Sequence, residues 1–242
     1  MEIAMASHAN NNGVNRNSDS FPLRTHMTHT QPTQLDATHF DNKARQWDDN
    51  PVFQERGLKI AQAIRKAIPL RPNMSALDYG CGTGLLSFPL KDALGDILLA
   101  DSSSGMLEVV REKIAAQGVT HMTPIQLDLL TDPAPTQKFD LIVTAMTLHH
   151  VPDTNQILRV FHDLLNPGGY LCIADLDKED GSFHGPEVNL HHGFDQADLG
   201  QRTTQAGLTD VHFQTVFTIT KARENGTRDY PVFLMAARRA GE

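Results

Sequence analysis

Three acids and two histidine pairs carry the chemistry legible in this 242-residue chain: Asp78, Asp101, Asp128, His149 with His150, and His191 with His192. Asp78 stands in the run Leu77-Asp78-Tyr79-Gly80-Cys81-Gly82-Thr83-Gly84, which follows an apolar stretch and precedes Leu85, Leu86, Phe88 and Leu90 at helical spacing. Alternating glycines between a strand and a helix let backbone approach a ligand closely, because no Cβ intervenes. A dinucleotide fingerprint places its third glycine three residues after the second, and Gly84 comes too early for that. No Gly-Lys-Ser/Thr follows, which excludes a P-loop. An acid at the strand end repels a pyrophosphate but suits a ligand carrying an ammonium group. These features point away from NAD and towards S-adenosylmethionine. Asp101 closes a second apolar run, about twenty residues beyond Gly80, where an acid holds the two ribose hydroxyls of a nucleoside.

The histidines speak to the other substrate. His149 and His150 follow the apolar run of residues 139–146. An imidazole titrates near ~6.5 and serves as a base at neutral pH, so His150 is assigned to the acceptor side. The pair also fits a structural turn in which one ring bonds backbone. His184, His191 and His192 follow the run of residues 170–176, and His192 joins His150 as a catalytic candidate. Their spacing matches no zinc pattern and no cysteine joins them, so no metal is assigned.

The elements that position these residues alternate. Residues 40–47 predict a short helix, and Phe53, Leu58, Ile60, Ala61, Ile64, Ala67 and Ile68 recur at helical spacing until Pro69. Strands are predicted at 74–79, 97–100, 122–127, 139–146 and 170–176. Helices are predicted at 106–117, capped by Ser103 or Ser104 and stopped by Gly118, and at 153–165, stopped by Pro167-Gly168-Gly169. A further helix spans 195–206, stopped by Gly207. Residues 211–220 and 230–239 alternate as a hairpin across the polar stretch 221–229. Such a chain builds an α/β, doubly wound, Rossmann-like sheet with helices on both faces, and ligands bind beyond the carboxyl ends of its strands.

The glycine run, Asp101-Ser102-Ser103-Ser104-Gly105-Met106-Leu107, Leu127-Asp128, Phe139-Asp140-Leu141-Ile142-Val143, Leu148-His149-His150-Val151-Pro152-Asp153 and Leu164-Leu165-Asn166-Pro167-Gly168-Gly169 occur in that order. Together they resemble the class I S-adenosylmethionine-dependent methyltransferases, in the branch that includes the ubiquinone and menaquinone C-methyltransferases. The resemblance covers roughly residues 40–239 and implies seven mostly parallel strands, an antiparallel C-terminal hairpin, and N-terminal helices lying over the cofactor. Trp47 is then a lid residue or a plain core aromatic. The resemblance also implies roles. Gly80, Gly82 and Gly84 admit the methionine portion, with Cys81 packing beside it, and Asp78 favours the ammonium. Asp101 takes the ribose and Ser102 packs near adenine. Asp128, with Leu129, ends strand three, where the family accepts from the adenine amino group. Thr144 and Ala145 face the sulfonium or amino group.

Composition narrows the partners. A net charge of −8 and the lack of a basic run disfavour a nucleic-acid substrate. No apolar stretch reaches the ~18 residues of a membrane span, and no signal core opens the chain. Cys81 and Cys172, the 2 cysteines, fall on strands too far apart to pair, which fits a reducing, cytoplasmic compartment. Residues 1–36, rich in Asn, Ser, Thr and His, read as a disordered tail, with the methyltransferase domain over 37–242. The expected activity is methyl transfer to a small molecule, at oxygen or carbon ahead of nitrogen or sulfur. The rivals are a protein or nucleic-acid methyltransferase, a non-catalytic cofactor-binding module, and an NAD-dependent oxidoreductase. Nothing in the sequence fixes an oligomeric state.

Overall fold

The computed structural model describes residues 37–184, 191–223 and 226–241, so the expected tail over 1–36 lies outside the described residues. Two short helices, α1 (Ala37–Asp41) and α2 (Ala44–Trp47), replace the single helix predicted over 40–47. Helix α3 (Pro51–Ala67) starts at Asn50, whose side chain accepts from Val52 N–H at 3.0 Å, and turns extended at Ile68 before Pro69. The chain continues through β1 (Ala76–Tyr79), α4 (Ser87–Leu90), β2 (Ile97–Asp101) and α5 (Ser104–Gln117). Ser103 caps α5 by accepting from Met106 N–H, and left-handed Gly118 stops it, as the sequence indicated. Then come β3 (Met122–Gln126), β4 (Phe139–Ala145), α6 (Thr154–Leu164), β5 (Leu165–Leu176), α7 (Gln196–Gln205), β6 (Leu208–Arg223) and β7 (Gly226–Arg239).

The 7 strands lie in the order β3-β2-β1-β4-β5-β7-β6. The first five are parallel, and β7 runs antiparallel between β5 and β6. β1 therefore has β2 on one side and β4 on the other, which makes it the point where strand order reverses and a crevice opens. Alternation along the buried strands separates two apolar layers. Leu99, Leu141 and Val143 pack with Ile60, Ile64, Leu90 and Val110 on one face. Leu77, Ile142 and Ile173 pack with Leu158, Phe161 and Phe233 on the other.

Two boundaries differ from the sequence reading. Pro167-Gly168-Gly169 does not form a loop between helix and strand, because α6 passes directly into β5 at Leu165. Leu165 pairs with Phe139, and pairing resumes only at Tyr170 opposite Leu141. Residues 166–169 thus bulge from the strand, anchored by Asn166 Nδ2 donating to Asp140 Oδ1 at 2.8 Å. The hairpin also extends further than predicted, pairing out to Arg223 opposite Gly226. Lys221 stands opposite Arg228 and Ala222 opposite Thr227 in this extension, so the backbone ladder continues through residues that carry no apolar alternation. Among the described residues, no helix is long and apolar enough to cross a membrane.

Candidate active site

The glycine turn ends β1 directly against the end of β2. Gly82 N–H donates to Asp101 Oδ2 at 2.7 Å, and Ser103 N–H donates to Asp101 Oδ1 at 2.8 Å. Two backbone donors thus fix the carboxylate, while burial pushes its pKa up. Gly80 and Gly82 have φ of 70° and 53°. A Cβ on Gly80 would meet the Thr147 side chain at 2.3 Å, whereas one on Gly82 would enter open space. That space belongs to a cavity of about 530 Å³, within the range of ligand pockets.

Asp78, Gly80, Cys81, Gly82, Asp101, Ser102 and Asp128 all line the cavity. Asp78 is almost fully buried, at 1 % exposure, and accepts from Ser87 Oγ at 2.6 Å. Burial raises its pKa to about 7, opposed by the Ser87 hydrogen bond. Asp128 Oδ1 accepts from Leu130 N–H at 2.9 Å and from Tyr79 Oη at 3.3 Å, which turns its carboxylate on the rim after β3.

Four residues assigned from the sequence do not reach the cavity wall. Gly84 instead lies against Phe88, where an added Cβ would stand 2.9 Å from the ring. Leu129 and Thr144 are buried in the core: alternation along β4 turns Thr144 to the far side of Ala145, and Leu129 lies in the turn that follows Asp128, beyond the end of β3. His192 is exposed beside Gly181, its carbonyl accepting from Glu179 N–H at 2.9 Å. It stands away from the cavity in which the reacting groups would meet. His191 is a strap, its Nε2 against the Val151 carbonyl at 2.9 Å.

The opposite wall was only partly legible. Phe53, Arg56, Gly57 and Ile60 lie at i, i+3, i+4 and i+7 on one face of α3, and all four line the cavity. This periodicity was visible, but its polar member was not singled out. Gly57 permits close packing, since a Cβ there would stand 2.7 Å from the Leu85 carbonyl oxygen. The Arg56 guanidinium stacks 4.9 Å from the Phe53 ring centroid, and burial lowers its pKa to about 10. Trp47 packs on Phe53 at 4.8 Å, so it is a cavity residue rather than a plain core aromatic.

Polar ties hold this wall over the turn. Asp41 Oδ1 accepts from Ser103 Oγ at 2.6 Å and Gly105 N–H at 2.8 Å, which lowers its pKa. Asp48 accepts from the Thr83 hydroxyl and pairs with Lys113 at 2.8 Å. Lys113 also donates to the Thr83 carbonyl at 2.7 Å. The acids on the N-terminal helices therefore clip them to the glycine turn and to α5.

The acceptor side holds a histidine cluster. His149 and His150 lie in a 3-10 turn after β4. Nδ1 of His149 lies 2.7 Å from the fully buried Asp175 carboxylate, and its Nε2 lies 3.1 Å from Nε2 of His184. The His150 ring lines the cavity, edge-on to Phe40 at 5.4 Å. Burial first, then neighbouring His149 and His184, lowers its pKa to about 2. The ~6.5 of a free imidazole, expected from sequence, does not apply. A group so reluctant to protonate is a poor general base at neutral pH.

Residues 76–169 match the methyltransferase domain family. In strand order and in its glycine–acid crevice the chain is similar to the class I S-adenosylmethionine-dependent methyltransferases. It is 34% identical over 128 residues to an uncharacterised methyltransferase of Schizosaccharomyces pombe, covering 50% of this chain and 44% of that one. It is 35% identical over 112 residues to the ubiquinone/menaquinone biosynthesis C-methyltransferase UbiE of Shewanella oneidensis, covering 45% of each. The chain thus spans less than half the length of these relatives. The fold is shared with Haemonchus contortus phosphoethanolamine N-methyltransferase 2, solved in complex with S-adenosyl-L-methionine, at a TM-score of 0.64 and 16% identity. That match covers 86% of this chain and 58% of the other.

Proposed function

We propose that this protein transfers a methyl group from S-adenosylmethionine to a small-molecule acceptor. The observation that carries the reading is one cavity with two unlike walls. The glycine turn with Asp78, Asp101 and Asp128 forms one wall, and Phe40, Trp47, Phe53, Arg56 and His150 form the other. On the first wall, Asp101 would hold the ribose hydroxyls, Asp128 the adenine amino group, and Asp78 the ammonium. The open space beside Gly82 would admit the methionine portion. When bound, the sulfonium supplies an activated methyl group, so the chain's task is to align the acceptor and exclude water.

The second wall suits a flat, apolar acceptor bearing an anionic or acidic oxygen. Three aromatic rings offer faces and edges, and Arg56 has no ion-pair partner among the described residues. Oxygen or carbon adjacent to such an oxygen is the acceptor atom, which agrees with the C-methyltransferase named among the relatives. The unpaired, buried Cys81 and Cys172 fit a reducing compartment such as the cytosol.

Calorimetry with S-adenosylhomocysteine and NADH, followed by labelled methyl transfer into a metabolite extract, tests the reading. Binding of the first ligand alone and transfer into a small-molecule fraction are expected. Preferential NADH binding, or label entering only protein or nucleic acid, would refute it. His150→Ala and Arg56→Ala are each expected to keep near-normal S-adenosylhomocysteine affinity and lose at least ~10-fold in transfer, about 1.4 kcal/mol of barrier. Because His150 stays neutral, the wild-type rate at saturating S-adenosylmethionine should show no inflection near pH 6.5. Transfer at the wild-type rate in both variants would remove them from the acceptor site.

A further inference from the structure

We infer that His149, His150 and His184 form a binding site for a divalent transition-metal ion, zinc by its donor set, at the acceptor end of the cavity. The ligand atoms of these three residues lie within 4.8 Å of one another. Nε2 of His149 and Nε2 of His184 are 3.1 Å apart. Two nitrogens bound to a tetrahedral zinc at ~2.0 Å lie about 3.3 Å apart, so this pair already has the separation required. The spacing of His184, His191 and His192 in the sequence matches no zinc pattern. The fold draws the cluster instead from two loops, one after β4 and one after β5.

Two further observations point to a ligand. Nδ1 of His150 is buried and has no hydrogen-bond partner in the structure, an arrangement that a polar atom in a folded protein rarely keeps. Asp175 sits behind His149, within 2.7 Å of its Nδ1, and accepts from its backbone N–H at 3.2 Å. A carboxylate in that place puts the proton on Nδ1 and aims the Nε2 lone pair at His184, the arrangement by which proteins orient a metal-bound imidazole. Three nitrogen donors favour zinc, cobalt, nickel or copper over magnesium or calcium. Lys221 and Arg56 place positive charge near the cluster, and Asp175 and Glu179 offset it.

Three protein ligands leave a fourth position for water or an acceptor oxygen, as in catalytic zinc sites. That use rests on the methyl-transfer reading, whereas the metal site itself does not. An acceptor hydroxyl bound there would give its proton to solvent more readily. Its oxygen, or the carbon conjugated to it, would then form the bond to the methyl group while the carbon–sulfur electron pair returns to sulfur.

The test uses the full chain, stripped with a chelator, then titrated with Zn²⁺ by calorimetry and with Co²⁺ by visible absorption. One equivalent should bind tightly and give the intense spectrum of four-coordinate cobalt. His184→Ala should weaken binding at least ~100-fold, and Asp175→Asn roughly 10-fold or more. His184 is exposed, so its variant should fold normally, as an unchanged thermal midpoint will verify. The remaining histidines persist in that variant and report any adventitious binding. Equal zinc affinity in wild type and His184→Ala overturns the proposal and leaves a hydrogen-bonded relay of Asp175, His149 and His184. A parallel titration with S-adenosylhomocysteine separates the two readings: its failure with zinc binding intact sinks the cofactor assignment alone.

Discussion

Replacing Asp101 by alanine is expected to weaken S-adenosylhomocysteine binding at least ~10-fold, and closer to ~100-fold if both ribose bonds are lost. The carboxylate would accept from two hydroxyls, and hydrogen bonds to a charged group contribute ~1.5–3 kcal/mol each. A second loss adds to the first. Asp101 also accepts from Gly82 N–H and Ser103 N–H, so it braces the turn that must admit the methionine portion. Asp101→Asn separates the two effects. An amide keeps one acceptor oxygen and much of the bracing but no charge, so it should fall between wild type and alanine. Calorimetry at constant ionic strength measures all three. Unaltered affinity in the alanine variant would mean that the end of β2 does not touch the nucleoside.

The cofactor wall was largely legible in the sequence because its residues are local to strand ends. Short continuous apolar runs, each closed by an acid or a glycine turn, fix where β1 and β2 stop, and topology then brings Asp78, Gly82 and Asp101 together without any long-range detail. Leu129 and Thr144 went astray for a related reason. Both are one position from wall residues: a one-residue step along β4 puts Thr144 on the opposite face from Ala145, and Leu129 enters the turn that follows Asp128. The acceptor wall was harder to read because it is assembled across the fold. Phe40 meets His150 over a large sequence separation, and His149 meets His184 only because β4 and β5 are neighbours. Nothing in the local pattern distinguished His184, which joins the cluster, from His192, which does not. The polar ties of Asp41 and Asp48 were also illegible, since exposed-looking acids on and beside short helices give no sign of the amide, hydroxyl and ammonium donors they will meet.

Asp78→Asn is expected to make the free protein more stable above pH 7 and at the same time poorer at binding cofactor. The carboxyl is buried beside Ser87, and burial raises its pKa to about 7 from an ordinary value of 3.8. Between those two values the folded chain keeps a proton that the unfolded chain has lost, so stability falls as pH rises through this window. Above pH 7 both states are ionised and the loss is complete. Three pH units correspond to roughly 4 kcal/mol, an upper figure for a site that can relax. Asparagine still accepts from the Ser87 hydroxyl but carries no charge, so the variant should escape that pH-dependent loss. Urea melts at pH 5 and pH 8 should show the two proteins converging at the lower value and diverging at the higher. The cofactor reverses the balance, because its ammonium would bind the ionised acid. Binding must then release a proton below pH 7, and wild-type affinity should rise about fivefold between pH 6 and pH 7. The asparagine variant should bind more weakly and lose that slope. A wild-type affinity that is flat across this range, or a variant no more stable at pH 8, would show that Asp78 is already ionised in the free protein and that its burial carries no such cost.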